Sequence, residues 1–192
     1  KPLIVGMGVL LVVGVMDDLR ELAPKNKLLH QFIAVVLMTS WGGLYLRDLG
    51  NLFGVGPVLL FDWGIPLTLF GAISVINAYN MSDGIDGLAG GWGLIAFAAM
   101  AYLANEIGAE SAVRLHVVLI GWVGGFLLFN LRHPWRHRAA VFLGDAGSMT
   151  IGFAVVWFSV ELTQRGGVSG NAVPPVVMLW VLGLPIIDMF AV

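Results

Sequence analysis

The chain has 192 residues, 58% of them apolar and only 11% charged, with a net charge of −2 and a mean hydropathy of +0.90. A soluble domain carries about 25% charged residues, so this chain lacks the polar surface to cover itself in water, which excludes an ordinary soluble globule. The absence of cysteine excludes a disulfide scaffold, a thiolate metal site and a cysteine nucleophile together, and the slight acidity gives no footing for nucleic-acid binding.

A membrane-crossing helix needs about 20 mostly apolar residues, whereas barrel strands alternate over about 10. The long uninterrupted apolar runs predict helices over 2–16, 28–46, 65–79, 88–104, 115–131, 148–162 and 174–192. The expected fold is all-α: a polytopic helical membrane protein with about seven transmembrane helices. No linker or low-complexity stretch divides residues 1–192, so a single integral membrane domain is expected. The sequence opens at Lys1 without an initiator Met and ends at Val192 inside an apolar run. It is therefore read as an internal fragment, incomplete at both ends, and the opening segment lacks a signal-peptide cleavage site.

Seven spans distribute the loops between two sides. Segments 17–27, 80–87 and 132–147 share one side and carry six Lys and Arg (Arg20, Lys25, Lys27, Arg132, Arg136, Arg138), against three (Arg47, Arg114, Arg165) in 47–64, 105–114 and 163–173. The positive-inside rule makes the first side cytoplasmic. Asp17, Asp18, Asp83, Asp86 and Asp145 then all fall at cytoplasmic ends of spans, although they lie far apart in sequence. An acid at a span centre costs about 2.5–3.5 kcal/mol, so acids gather more readily at the ends; their convergence on one face is the main functional signal.

In chain order, the first cluster is Asp17-Asp18, two adjacent carboxylates at the negative end of an apolar helix, which need a cation such as Mg²⁺ or a basic side chain. A solvated acidic flank is the bland alternative. Lys27 stands at the mouth of the second span, where it could reach a phosphate. The polar residues Asn77, Asn80, Asp83 and Asp86 recur every third position, so neighbours share a helix face. Gly84 and Gly87 let the backbone turn there, suggesting a polar floor for a ligand, with helix capping as the alternative. Arg132, Arg136 and Arg138 form the most basic stretch, either topogenic charge or an anion grip. His133 and His137 are spaced i,i+4, but Pro134 between them argues against a helical metal pair. Asp145 lies between Gly144 and Ala146-Gly147 just before a span, which suits a metal ligand or phosphate neighbour, or else an N-cap by Asp145 or Ser148. His30 and His116 are isolated and read as structural. Asp188 either points to the same face or marks the end of its span.

The stretches Gly14-Val-Met-Asp-Asp-Leu19, Ile76-Asn-Ala-Tyr-Asn-Met-Ser-Asp-Gly-Ile-Asp-Gly-Leu88, Val141-Phe-Leu-Gly-Asp-Ala-Gly-Ser148 and Leu184-Pro-Ile-Ile-Asp-Met189 together resemble the polyprenyl-phosphate N-acetylhexosamine-1-phosphate transferases, glycosyltransferase family 4. The resemblance covers nearly the whole chain in order. Within that superfamily, Ile151-Gly-Phe-Ala-Val-Val-Trp157 and Glu161-Leu-Thr-Gln164 are similar to the branch acting on UDP-GlcNAc rather than the muramoyl-pentapeptide branch. It implies transfer of GlcNAc-1-phosphate from a UDP-sugar to undecaprenyl phosphate, releasing UMP, at the cytoplasmic face of a bacterial inner membrane, as the first step of lipid-linked surface-glycan synthesis. By resemblance Asp145 is a Mg²⁺ ligand (Mn²⁺ substituting) with Asn80 beside the metal. Asp17 and Asp18 handle metal or lipid phosphate, and Asp83 and Asp86 belong to the nucleotide-sugar site. Lys27, with Gln31 four residues on, meets the pyrophosphate. Asn77, Arg136 and Arg138 complete the expected substrate contacts. The implied partners are the UDP-sugar, undecaprenyl phosphate and membrane lipid; a homodimer is left open. The family's last cytoplasmic loop falls beyond Val192, so the fragment alone is expected to be inactive.

A cation-coupled transporter is the competing reading, but it would place acids near the midplane of broken helices. An intramembrane aspartyl protease would need glycine where Phe142 stands, and a CDP-alcohol phosphotransferase would need Ala-Arg soon after Asp83-Gly84.

Overall fold

Inside a bilayer no water satisfies the backbone, so apolar segments close their N–H and C=O groups within helices. The computed structural model of the protein, which describes residues 1–132, 138–165 and 172–191, follows that rule. Its α-helices are α1 (Pro2–Leu19), α2 (Pro24–Ser40), α3 (Gly64–Met81), α4 (Leu88–Glu106), α5 (Glu110–Asn130), α6 (Gly144–Gln164), α7 (Pro175–Val181) and α8 (Gly183–Ala191). Among the described residues the β pairing is a single bridge, Asp48 to Leu59. The protein is thus an all-α, multi-pass membrane protein. Five helical stretches, those containing α1, α3, α4, α5 and α6, are long and apolar enough to cross a membrane. At 17 residues α2 is slightly shorter.

Several boundaries differ from the sequence expectation: α1 runs on to Leu19 rather than 16, α2 ends at Ser40 rather than 46, and α5 and α6 start at Glu110 and Gly144 rather than at 115 and 148. Pro24 starts α2 one turn earlier than residue 28, because proline lacks only an N–H that a first turn leaves unpaired anyway. Lys27 therefore lies on the first turn of a helix. At the other end of the chain, the single span expected over 174–192 is two helices, interrupted at Leu182. Pro185 accounts for the break: it cannot donate to the carbonyl of Val181, and its ring crowds that carbonyl.

The core is organised around α6, whose residues from Met149 to Val160 are all buried. It packs against α1, α3 and α4, while α2 joins α1 to α3, and α5 lies against α4. α1 lies close on α6 at Gly14, where an added Cβ would collide with the backbone of Ala146; small residues let membrane helices meet at such contacts. Outward faces remain apolar, as at Phe70 (73% exposed) and Val118 (67%), which suits lipid contact. Because the helices alternate in direction, the C-termini of α1, α3 and α5 and the N-termini of α2, α4 and α6 share one end of the bundle. The opposite end carries exposed Trp41, Phe53, Phe61 and Trp63, the kind of aromatic belt found at a membrane interface.

Candidate active site

At the shared end, Asp17 on the last turn of α1, Lys27 on the first turn of α2 and Asp145 on the first turn of α6 meet. The Lys27 ammonium pairs with Oδ2 of Asp17 and with Oδ2 of Asp145. Asp17 is the most enclosed of the three, with its side chain 8% exposed, and its Oδ1 accepts the backbone N–H of Leu22 at 2.6 Å. Asn80, near the end of α3, donates from Nδ2 to Asp145 Oδ1 at 2.7 Å and to Ser148 Oγ at 3.0 Å. The Ser148 hydroxyl in turn donates to the carbonyl of Gly144. Four helices thus fix one cluster of two carboxylates, an ammonium and an amide.

The N-terminus of α6 explains how Asp145 is held. Leu143, at the cap position, has no side-chain capping bond, so the free N–H groups of the first turn need partners from elsewhere. Asp18 supplies them: its Oδ1 accepts from the N–H of Asp145 at 2.9 Å and its Oδ2 from that of Ala146 at 3.4 Å. The carboxylate of Asp83 accepts the N–H of Gly144. Two acids at a helix N-terminus also oppose the positive end of its dipole. Gly144 has φ +66°, and a Cβ there would sit 2.5 Å from Asp18 Oδ2, so glycine alone lets α1 close on this turn. The sequence alternative in which Asp145 or Ser148 caps its own helix is not what forms.

Asn77 exchanges amide bonds with Gln31 of α2, donating to Oε1 at 2.8 Å, and also donates to the carbonyl of Ile73. Asn77, Asn80 and Lys27 line a cavity of about 460 Å³ together with Leu22, Pro24 and Leu28. Asp86 lies on the loop after the turn Ser82–Gly84 and pairs with Arg132 at 2.7 Å. Arg138 is exposed, and Arg136, His133 and His137 lie outside the described residues. Asp188 of α8 does reach the shared end, where it accepts from Ser82 Oγ at 3.4 Å. Among the described residues no group of three or more acids and histidines is placed to hold a metal ion.

Sequence reasoning gave Ser148 only a capping role and overlooked Asn130. The first follows Asp145 by three residues, the spacing that puts two side chains on one helix face. Asn130 is buried at the end of α5, accepting the N–H of Gly87 at 2.6 Å and donating to the carbonyl of Val141 at 2.8 Å. It ties the loop that leads into α4 to the loop that follows α5. Its signal was a lone amide ending an apolar run.

Comparisons with known proteins place the sequence among named relatives. The chain is 39% identical over 187 residues to the undecaprenyl-phosphate alpha-N-acetylglucosaminyl 1-phosphate transferase of Yersinia pestis, covering 96% of this chain and 50% of that protein. It is 37% identical to the protein of that name from Escherichia coli strain K12 (96% and 49%) and 38% identical to that of Haemophilus influenzae (96% and 51%). The chain therefore spans about half the length of the curated relatives it matches. Residues 2–163, which include the Asp17, Lys27, Asn80 and Asp145 cluster, match the family described as glycosyl transferase family 4, and the chain belongs to that family.

Proposed function

We propose that the protein transfers GlcNAc-1-phosphate from UDP-GlcNAc to undecaprenyl phosphate and releases UMP, at the cytoplasmic face of a bacterial inner membrane, opening the synthesis of a lipid-linked surface glycan. A lipid phosphate oxygen forms the new bond to the sugar-bearing phosphorus, and the bond from that phosphorus to UMP breaks. The observation that carries the reading is the meeting of Asp17, Lys27, Asn80 and Asp145 from four helices at one end of the bundle. The names of the relatives print the acceptor, undecaprenyl phosphate, and the transferred group, N-acetylglucosaminyl 1-phosphate.

Two anions must approach, so positive charge must lie between them. The oxygen-only pair Asp17 and Asp145, with the Asn80 amide beside it, suits Mg²⁺, with Mn²⁺ substituting, since hard cations take oxygen ligands and Mg²⁺ fills the rest of its shell with water. That these carboxylates already share a cationic partner in Lys27 supports the fit. Such a metal would neutralise charge on the phosphates. Lys27 then meets phosphate oxygens in the adjoining cavity, where Asn77 and Asn80 form part of the wall while their amide N–H groups stay bonded to Gln31, Ile73, Asp145 and Ser148. No carboxylate is needed as a base, because a phosphate monoester is already mostly ionised at pH 7, with a second pKa near ~6. Asp18 and Asp83 serve by holding the α6 turn that carries Asp145.

The transporter reading finds no support, since these acids sit at helix ends and the relatives are named as transferases. The test is exchange of labelled UMP into UDP-GlcNAc by membranes carrying the full-length protein. Exchange that requires both Mg²⁺ and undecaprenyl phosphate is expected; exchange indifferent to the lipid would overturn the reading.

A further inference from the structure

Lys27 stands between carboxylates carried by two other helices. Its ammonium meets Oδ2 of both Asp17 and Asp145, while Asn80 secures the second oxygen of Asp145 at 2.7 Å. The same carboxylates are assigned above to a divalent cation. An ammonium and Mg²⁺ cannot both contact that pair of oxygens, because Mg²⁺ draws its ligands to about 2.0–2.1 Å and two cations so close repel strongly in a partly enclosed site. Lys27 has somewhere to go. Its stem is flexible, its side chain is 27% exposed, and the cavity lined by Asn77, Asn80 and Leu28 opens beside it.

We infer that Lys27 is a displaceable counter-ion. Without metal it joins the ends of α1, α2 and α6 by bridging Asp17 and Asp145. When those carboxylates take a divalent cation, Lys27 turns into the adjoining cavity and presents its ammonium to a phosphate. Binding is then ordered: the phosphate finds its lysine only after the carboxylates are satisfied. This rests on the proposed function solely in taking Asp17 and Asp145 as the cation's ligands.

Mn²⁺ is the probe, with free ion counted by electron paramagnetic resonance in detergent solutions of the purified full-length protein. Lys27→Met removes the competitor, so its Mn²⁺ affinity is expected to exceed that of wild type by about tenfold or more. A second measurement needs no variant. Reductive methylation of Lys27, quantified by mass spectrometry against the exposed Lys25, is expected to rise several-fold when Mn²⁺ replaces EDTA. An unchanged or weaker affinity in folded Lys27→Met, or flat Lys27 labelling while wild type binds Mn²⁺, overturns the inference and leaves the metal assignment standing. Failure of wild type to bind Mn²⁺ overturns both. Failure of the transferase reading would appear separately, as absent UMP exchange by a protein whose Lys27 response to Mn²⁺ is intact.

Discussion

One step along a helix rotates a side chain by about 100°, and that step sends Asp17 and Asp18 to different partners. Asp17 turns to Lys27, whereas Asp18 accepts backbone N–H groups of α6. Asp18 is thus a helix cap supplied from another helix. Removing such a cap costs about 0.5–2 kcal/mol, so Asp18→Ala is expected to lower the melting temperature by about 1–8 °C. Asp18→Asn keeps an oxygen acceptor and should retain most of the stability. Tryptophan fluorescence melts in detergent check this, and identical melting of Asp18→Ala and wild type would contradict it. Asn80 acts one bond further out, through Asp145 and Ser148. Removing a group that orients a metal ligand typically lowers metal affinity or activity by about 10–100-fold. A Mg²⁺ titration of exchange activity should accordingly shift to higher concentration in Asn80→Ala; an unshifted curve would place Asn80 outside the metal's support.

At the scale of elements, the site depends on how closely α1 lies on α6. Gly14→Val would press a side chain into the Ala146 backbone, and overpacking of this kind costs about 1–3 kcal/mol. Gly8, on the same helix, faces open space, so Gly8→Val is the matched control. The expected result is a lower melting temperature and weakened Mn²⁺ binding for Gly14→Val, with neither change for Gly8→Val. Equal behaviour of the two would remove the contact from the account. The spans themselves were legible because apolar runs of that length have few alternatives in a bilayer. The start of α6 was less so: Gly144-Asp-Ala-Gly147 reads as a loop on propensity, and it becomes helix only because Asp18 and Asp83, distant in sequence, take up its N–H groups. The break in the last span was written locally in Pro185. The pairings of Asp86 with Arg132 and of Ser82 with Asp188 depend on how loops fold back, which periodicity does not encode.

For the whole molecule, the scarcity of charge is what makes its placement informative. Five of the twelve acids lie in three motifs, and the alternation of helix directions brings them to one end. The absence of cysteine makes the orientation directly testable. Cysteine at Gly84, exposed on the turn beside Asp83, should react with a membrane-impermeant maleimide only from the cytoplasm. Cysteine at Val55, 88% exposed at the opposite end, should react only from outside. Reversed labelling would place the acids on the wrong face for a cytoplasmic UDP-sugar. The central claim is that the cluster around Asp145 performs the transfer. It is tested most directly by the Mg²⁺-dependent UMP exchange of full-length Asp145→Ala, with undecaprenyl phosphate present and folding confirmed by its melting curve. A loss of about 100-fold or more, on the scale of removing a group that stabilises transition-state charge, is predicted; activity equal to wild type would contradict the account.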